Sequence, residues 1–92
     1  MRYRATPQFD RSIERLDAAR KARAKGAIDR LVAGFETRQL PIGLGIKQVR
    51  PRLWEIRLGL SDRILFHRTG DAVEFLFAGN HDEIRRFLKA YQ

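Results

Sequence analysis

The feature that most restricts what this chain can fold into is the run from Leu53 to Phe77, LWEIRLGLSDRILFHRTGDAVEFLF, where apolar and polar residues alternate between two turn signals. The alternation predicts three strands. Trp54, Ile56 and Leu58 share one face of the first, Ile64 and Phe66 the matching face of the second, and Val73, Phe75 and Phe77 that of the third. These side chains make the predicted core face. The opposite face carries Leu53, Glu55 and Arg57, then Arg63, Leu65 and His67, then Glu74, Leu76 and Ala78. Its mixture of charge and aliphatic surface makes it the candidate site.

The turns set the register. Gly70-Asp71 is a two-residue hairpin signal that places Arg68 opposite Val73 and His67 opposite Glu74. The first hairpin requires the three-residue loop Gly59-Leu60-Ser61, because only an odd loop pairs Ile56 with Ile64 and Trp54 with Phe66. That register sets Arg57 directly across from Arg63. Like charges facing each other across a ladder are destabilising by roughly 0.2 to 1 kcal/mol. An anion between the two arginines would remove the penalty.

With 92 residues and 43% hydrophobic content, residues 1–92 make one small domain with a single core. The chain contains no cysteine and two histidines, which argues against disulfides, thiolate chemistry and a dedicated zinc site. No metal or cofactor is expected. The first residues, MRYRATPQF, lack the apolar core of a signal peptide, and no run approaches the roughly 20 apolar residues of a membrane span. A cytoplasmic protein with no membrane contact is expected. The formal net charge is +8, and twelve of the 19 Lys and Arg residues lie in the first 50 positions beside five acids. Such a field attracts polyanions, nucleic acid foremost, although an acidic protein segment would answer the same charge.

Ahead of the strands, Arg2 to Ala5 reads as a short strand and Thr6-Pro7 as a helix start, with Thr6 as N-cap. Phe9, Ile13 and Leu16, then Ala24, Ala27, Ile28, Leu31, Val32 and Phe35, recur at helical spacing, so residues 7 to about 37 form two helices or one bent helix, with the break placed near Asp17 to Lys21. Their polar flanks carry Arg11, Arg15, Arg20, Lys21, Arg23, Lys25 and Arg30, each most simply a solvated surface residue. From Arg38 to Arg52 the residues Pro41, Gly43, Gly45 and Pro51 argue against regular structure, and the segment reads as a basic connecting loop. Long loops in small domains tend to carry function, which makes Lys47 and Arg50 candidate phosphate contacts. The chain closes on a helix capped by Asn80 with Glu83 as its reciprocal partner and Ile84, Phe87, Leu88 and Tyr91 as its apolar stripe. His81 then lies in the first turn, where the amides attract anions, and is a candidate proton acceptor beside a bound phosphate or simply a surface histidine. The predicted order is β, α, α, β, β, β, α, an α+β fold with an antiparallel sheet packed against a helical hairpin.

This arrangement, with LWEIRL leading through a tight turn to DRILF, resembles the RelE/ParE superfamily of bacterial toxins from type II toxin-antitoxin modules. The resemblance spans almost the whole chain. It implies a toxin with a cognate antitoxin as partner, and in the RelE branch metal-free cleavage of mRNA on the ribosome; the ParE branch instead inhibits DNA gyrase. Arg63 stands at the family's strand arginine, which contacts the scissile phosphate, and Arg57 where RelE-like members carry a basic residue on the preceding strand. Glu55 occupies the place of RelE's catalytic lysine, a reversal of charge. His81 lies near the C-terminal position where some members have a catalytic arginine or histidine, and Tyr91 falls later than the expected tyrosine.

Metal-free RNA cleavage needs a base for the 2′-hydroxyl, positive charge around the phosphorane, and an acid for the leaving oxygen. The expected catalytic set is Arg63, Arg57, His81 and Glu55: the arginines clamp the phosphate, Glu55 or His81 acts as base, and His81 or His67 as acid. The plainer alternative for Glu55 is an ion pair with Arg57 or Arg63, and for His67 a cross-strand pair with Glu74. Lys47 and Arg50 join the arginines as expected RNA contacts. A plain RNA- or ribosome-binding module is the non-catalytic alternative.

Overall fold

The computed structural model describes residues 1–39 and 43–91. Strand β1 (Arg2–Ala5) leads into helices α1 (Pro7–Glu14) and α2 (Ala18–Thr37), followed by strands β2 (Ile46–Arg50), β3 (Leu53–Leu58), β4 (Asp62–Thr69) and β5 (Ala72–Asn80) and helix α3 (His81–Ala90). One five-stranded sheet has the order β1-β5-β4-β3-β2. The expected antiparallel sheet is antiparallel from β2 to β5 and gains one parallel pair, β1 with β5. Among the described residues no helix is long and apolar enough to cross a membrane.

The helix boundaries have local causes. Thr6 caps α1 by accepting from the Phe9 amide at 3.0 Å, with Pro7 in the first turn, where its missing N–H leaves no bond unmade. The break between the helices falls at Arg15 to Asp17, at the near edge of the predicted window, because Asp17 accepts from the Arg20 amide at 2.9 Å and so starts α2. The capping box of α3 forms as expected, Asn80 and Glu83 each accepting the other's amide at 2.9 Å.

Both hairpins have the predicted registers. Trp54 faces Phe66, Ile56 faces Ile64 and Arg57 faces Arg63 across β3 and β4, while His67 faces Glu74 and Arg68 faces Val73 across β4 and β5. Two expectations are corrected. The segment 38–52 is not wholly irregular, because Ile46–Arg50 pairs with β3; Gly43, Gly45 and Pro51 flank this strand without interrupting it, and Pro41 lies outside the described residues. The predicted facing also fails at the end of β5. A bulge between Leu65 and Phe66 leaves Leu76 without an opposite residue, so Phe77 turns away from the core and Ala78 turns into it.

The sheet therefore has two apolar layers. On the hairpin side, Phe9, Leu16, Ala24, Ala27 and Leu31 of the helical segment pack on Ile56, Leu58, Ile64, Phe66, Val73 and Phe75. On the other side Leu53, Leu65 and Leu76 receive Ile84 of α3. Because β1 ends at Ala5, opposite Phe75, the far edge of β5 lacks a strand partner, and α1 supplies the missing groups. The Thr6 hydroxyl donates to the Leu76 carbonyl at 3.3 Å, and the buried Ser12 hydroxyl accepts from the Ala78 amide at 2.9 Å while donating to the Phe9 carbonyl at 2.7 Å. Buried backbone groups beside a bulge need such partners, and two short hydroxyl side chains provide them.

Candidate phosphate-binding site

On the α3 side of the sheet, β2, β3 and β4 enclose a small cavity of about 220 Å³ lined by Gly45, Ile46, Lys47, Glu55, Arg57 and Arg63. Strand periodicity explains the set. Glu55 and Arg57 are two apart on β3, Lys47 pairs with Glu55 across β2, and Arg63 pairs with Arg57 across β4. Gly45 lets the walls close, since its carbonyl accepts the Arg57 amide at 3.1 Å and a Cβ on it would lie 3.0 Å from that of Arg57. Its φ of +68° suits glycine for the same turn.

Within the cavity the two arginines differ. Arg57 is exposed and, among the described residues, makes no ion pair. Arg63 is largely buried and donates through Nη1 to Glu55 Oε1 at 3.3 Å, with the two side chains only 15% and 9% exposed. The plainer expectation for Glu55, an ion pair with one of the arginines, is what the structure contains. Glu55 thus supplies the anion that the facing arginines call for. It does so incompletely: the Nε of Arg63 is buried without a hydrogen-bond partner among the described residues. A buried guanidinium N–H left unpaired costs about 1 to 3 kcal/mol, which an oxyanion entering between Arg57 and Arg63 would recover.

Of the expected residues, Lys47, Glu55, Arg57 and Arg63 are brought together, and Arg50 and His81 are not part of the lining. Arg50 reaches over to α3, donating to the carbonyls of Leu88 at 2.8 Å and Tyr91 at 3.3 Å, where it caps the helix C-terminus. The register slip between Gln48 and Arg50 accompanies this change of direction. His81 is exposed at the start of α3, its Nδ1 3.7 Å from Asp82 Oδ1. His67 lies opposite Glu74 as expected, yet the Glu74 carboxylate is taken by Arg4 of β1 at 3.3 Å and His67 Nδ1 meets the Thr69 hydroxyl at 3.3 Å.

The sequence reading missed a neighbouring pair. Arg20 of α2 grips Asp62, the residue before Arg63, through Nε and Nη2, both at 2.7 Å. The hydrogen bond from Arg20 holds the Asp62 carboxyl below its ordinary range against the opposing effect of burial. This fork ties the helical hairpin to the start of β4. Nothing in the spacing of residues 42 apart signals it.

No family model matches the chain, and no curated protein matches it in sequence. Solved structures do. RelE in the RelB-RelE antitoxin-toxin complex of Methanococcus jannaschii superposes with a TM-score of 0.71 at 19% identity, over 90% of this chain and 95% of that one. YafQ in the DinJ-YafQ complex of E. coli gives a TM-score of 0.73 at 14% identity, over 91% and 98%. The YoeB/ParE toxin of Agrobacterium tumefaciens gives 0.67 at 19% identity, over 88% and 99%. Each alignment runs through nearly the full length of both chains, and the fold of this protein is that of the RelE/ParE-type toxins.

Proposed function

We propose that this chain is the toxin of a toxin-antitoxin pair and that the cavity between Arg57 and Arg63 receives a phosphodiester of mRNA for metal-free cleavage on the ribosome. The observation that carries this reading is the buried Nε of Arg63, without a partner among the described residues, sharing one small cavity with Lys47 and with Arg57, which makes no ion pair among those residues. A phosphate seated there accepts from both guanidiniums and competes with Glu55 for Arg63. The displaced Glu55 carboxylate is the base for the 2′-hydroxyl, the cationic walls stabilise the phosphorane, and, with His81 outside the lining, solvent protonates the leaving 5′-oxygen. The fold likeness to toxins crystallised with RelB and DinJ supports an antitoxin as the partner, most simply an acidic amphipathic helix that covers the basic cavity.

Primer extension on cellular mRNA after induction of wild type and Arg63→Ala tests the proposal. Cuts within translated codons that vanish in the variant are expected. A second reading, a gyrase-inhibiting toxin of the ParE type, is favoured by the Glu55–Arg63 ion pair, which engages both the assigned base and the clamp in the free chain. Intact mRNA together with DNA-damage signalling selects it.

A further inference from the structure

A second hollow, of about 440 Å³, opens where α3 and α1 meet over β5. Its lining differs in kind from the charged cavity. Phe77, Phe87 and Tyr91 form a continuous ladder of stacked rings, with centroids 5.0 and 5.5 Å apart and planes 19° and 23° from parallel. All three are only partly buried, so aromatic surface remains open. Phe77 belongs to the ladder only because the bulge at Leu76 turns it out of the core. Bulges that re-aim a side chain in this way concentrate beside functional sites.

Two cations complete the hollow. Arg15, the C-cap of α1, and Arg86 of α3 line it, both exposed and neither in an ion pair among the described residues. Glu83 lines it as well, with Oε1 engaged by the Asn80 amide and Oε2 in no hydrogen bond or ion pair among the described residues. The hollow and the charged cavity have no lining residue in common, and β5 links them. Gly79 is the ladder partner of Arg63, and a Cβ there would lie 3.0 Å from the Phe77 ring and 2.9 Å from Glu83 Oε1. Phe77 stands two residues along β5 from Gly79, roughly 7 Å by strand geometry.

Flat aromatic surface takes the face of a nucleobase, guanidiniums take phosphate, and a free carboxylate oxygen accepts from a base amino group or a ribose hydroxyl. An acidic peptide would satisfy the two arginines but would be repelled by Glu83. A nucleotide carries donors as well as phosphate and satisfies all three groups. We infer that this hollow seats one nucleotide of a single-stranded RNA, its base against the Phe77–Phe87–Tyr91 ladder and its phosphate on Arg15 and Arg86, beside the phosphate held at Arg57 and Arg63. This rests on the RNA reading of the charged cavity.

The test is fluorescence anisotropy on the full chain with two labelled 2′-O-methyl hexamers that cannot be cleaved, one bearing bases and one built of abasic units. Wild type should bind the base-bearing strand about tenfold more tightly. Phe77→Leu and Tyr91→Leu, checked for folding by circular dichroism, should reduce that preference below about threefold, whereas Arg86→Ala should weaken both strands alike. Equal binding of the two strands by wild type overturns the inference, as does a preference that survives in both ladder variants. Displacement of the strand by adenosine monophosphate at equal nucleotide concentration overturns the strand assignment in favour of a free nucleotide. Saturable binding of a poly-glutamate peptide without any base preference makes the hollow a protein-docking surface and overturns it too. Base preference in a protein that cuts no mRNA leaves this site standing and removes the nuclease reading; cleavage without base preference does the reverse.

Discussion

Glu55 is the pivotal residue of the candidate site, because the counter-ion of Arg63 is also the residue proposed as the base. The two roles separate on substitution. Glu55→Gln removes the competing charge while keeping the shape, so inorganic phosphate, followed by NMR titration, should bind about tenfold more tightly, as expected for a freed charge-assisted hydrogen bond. If Glu55 is the base, mRNA cleavage by the same variant should fall about 100-fold or more. Tighter phosphate binding with unchanged cleavage would assign the base elsewhere. Asp62 gives a pH prediction. Its carboxyl is held below the ordinary value chiefly by the hydrogen bond from Arg20, so the folded state binds the proton more weakly than the unfolded chain does. The resulting stabilisation is complete above the unfolded value, near about 4, and fades as the pH falls through the folded value. Urea unfolding across a pH range of roughly 2 to 7 should show this loss in wild type. Asp62→Asn, which leaves Arg20 without its partner, should lower stability by about 2 kcal/mol near neutral pH and flatten the acid limb.

At the level of elements, the decisive features are places where one element completes another. Helix α1 satisfies the open edge of β5 through Ser12, whose hydroxyl is buried between the Ala78 amide and the Phe9 carbonyl. Ser12→Ala leaves that amide unpaired and should cost about 1 to 2 kcal/mol, with faster hydrogen exchange at Ala78 as the specific sign. Strand β2 completes α3 in the same way, through Arg50. Arg50→Ala removes two exposed hydrogen bonds and should speed exchange in the last turn of α3 about fivefold, a net loss of roughly 1 kcal/mol, and leave phosphate binding at the cavity unchanged. A comparable loss of phosphate binding would return Arg50 to the site. Neither contact was legible beforehand. Ser12 reads as one polar residue in an amphipathic helix, and Arg50 as one more cation in a basic loop, until the sheet brings β5 and α3 alongside them.

For the whole molecule, the charge of +8 is a statement about partners and not about fold. If one phosphate sits among Lys47, Arg57 and Arg63 and a second on Arg15 and Arg86, log affinity against log salt should have a slope of about −1.4, from roughly 0.7 per phosphate neutralised on a single strand. A slope near zero would count against an RNA partner. The pairing of Arg57 with Arg63, and both hairpin registers, were determined by the sequence alone, since strand parity and the lengths of two turns depend on neighbouring residues. The strand order, the parallel β1–β5 pair and the use of Ile46–Arg50 as an edge strand depended on which segments meet in space. So did the bulge that moved Phe77 across the sheet, the Arg20–Asp62 fork, and the separation of Arg50 and His81 from the cavity. Local alternation fixes which face of a strand a residue occupies only while the ladder stays regular, and contacts between residues tens of positions apart leave no mark in spacing.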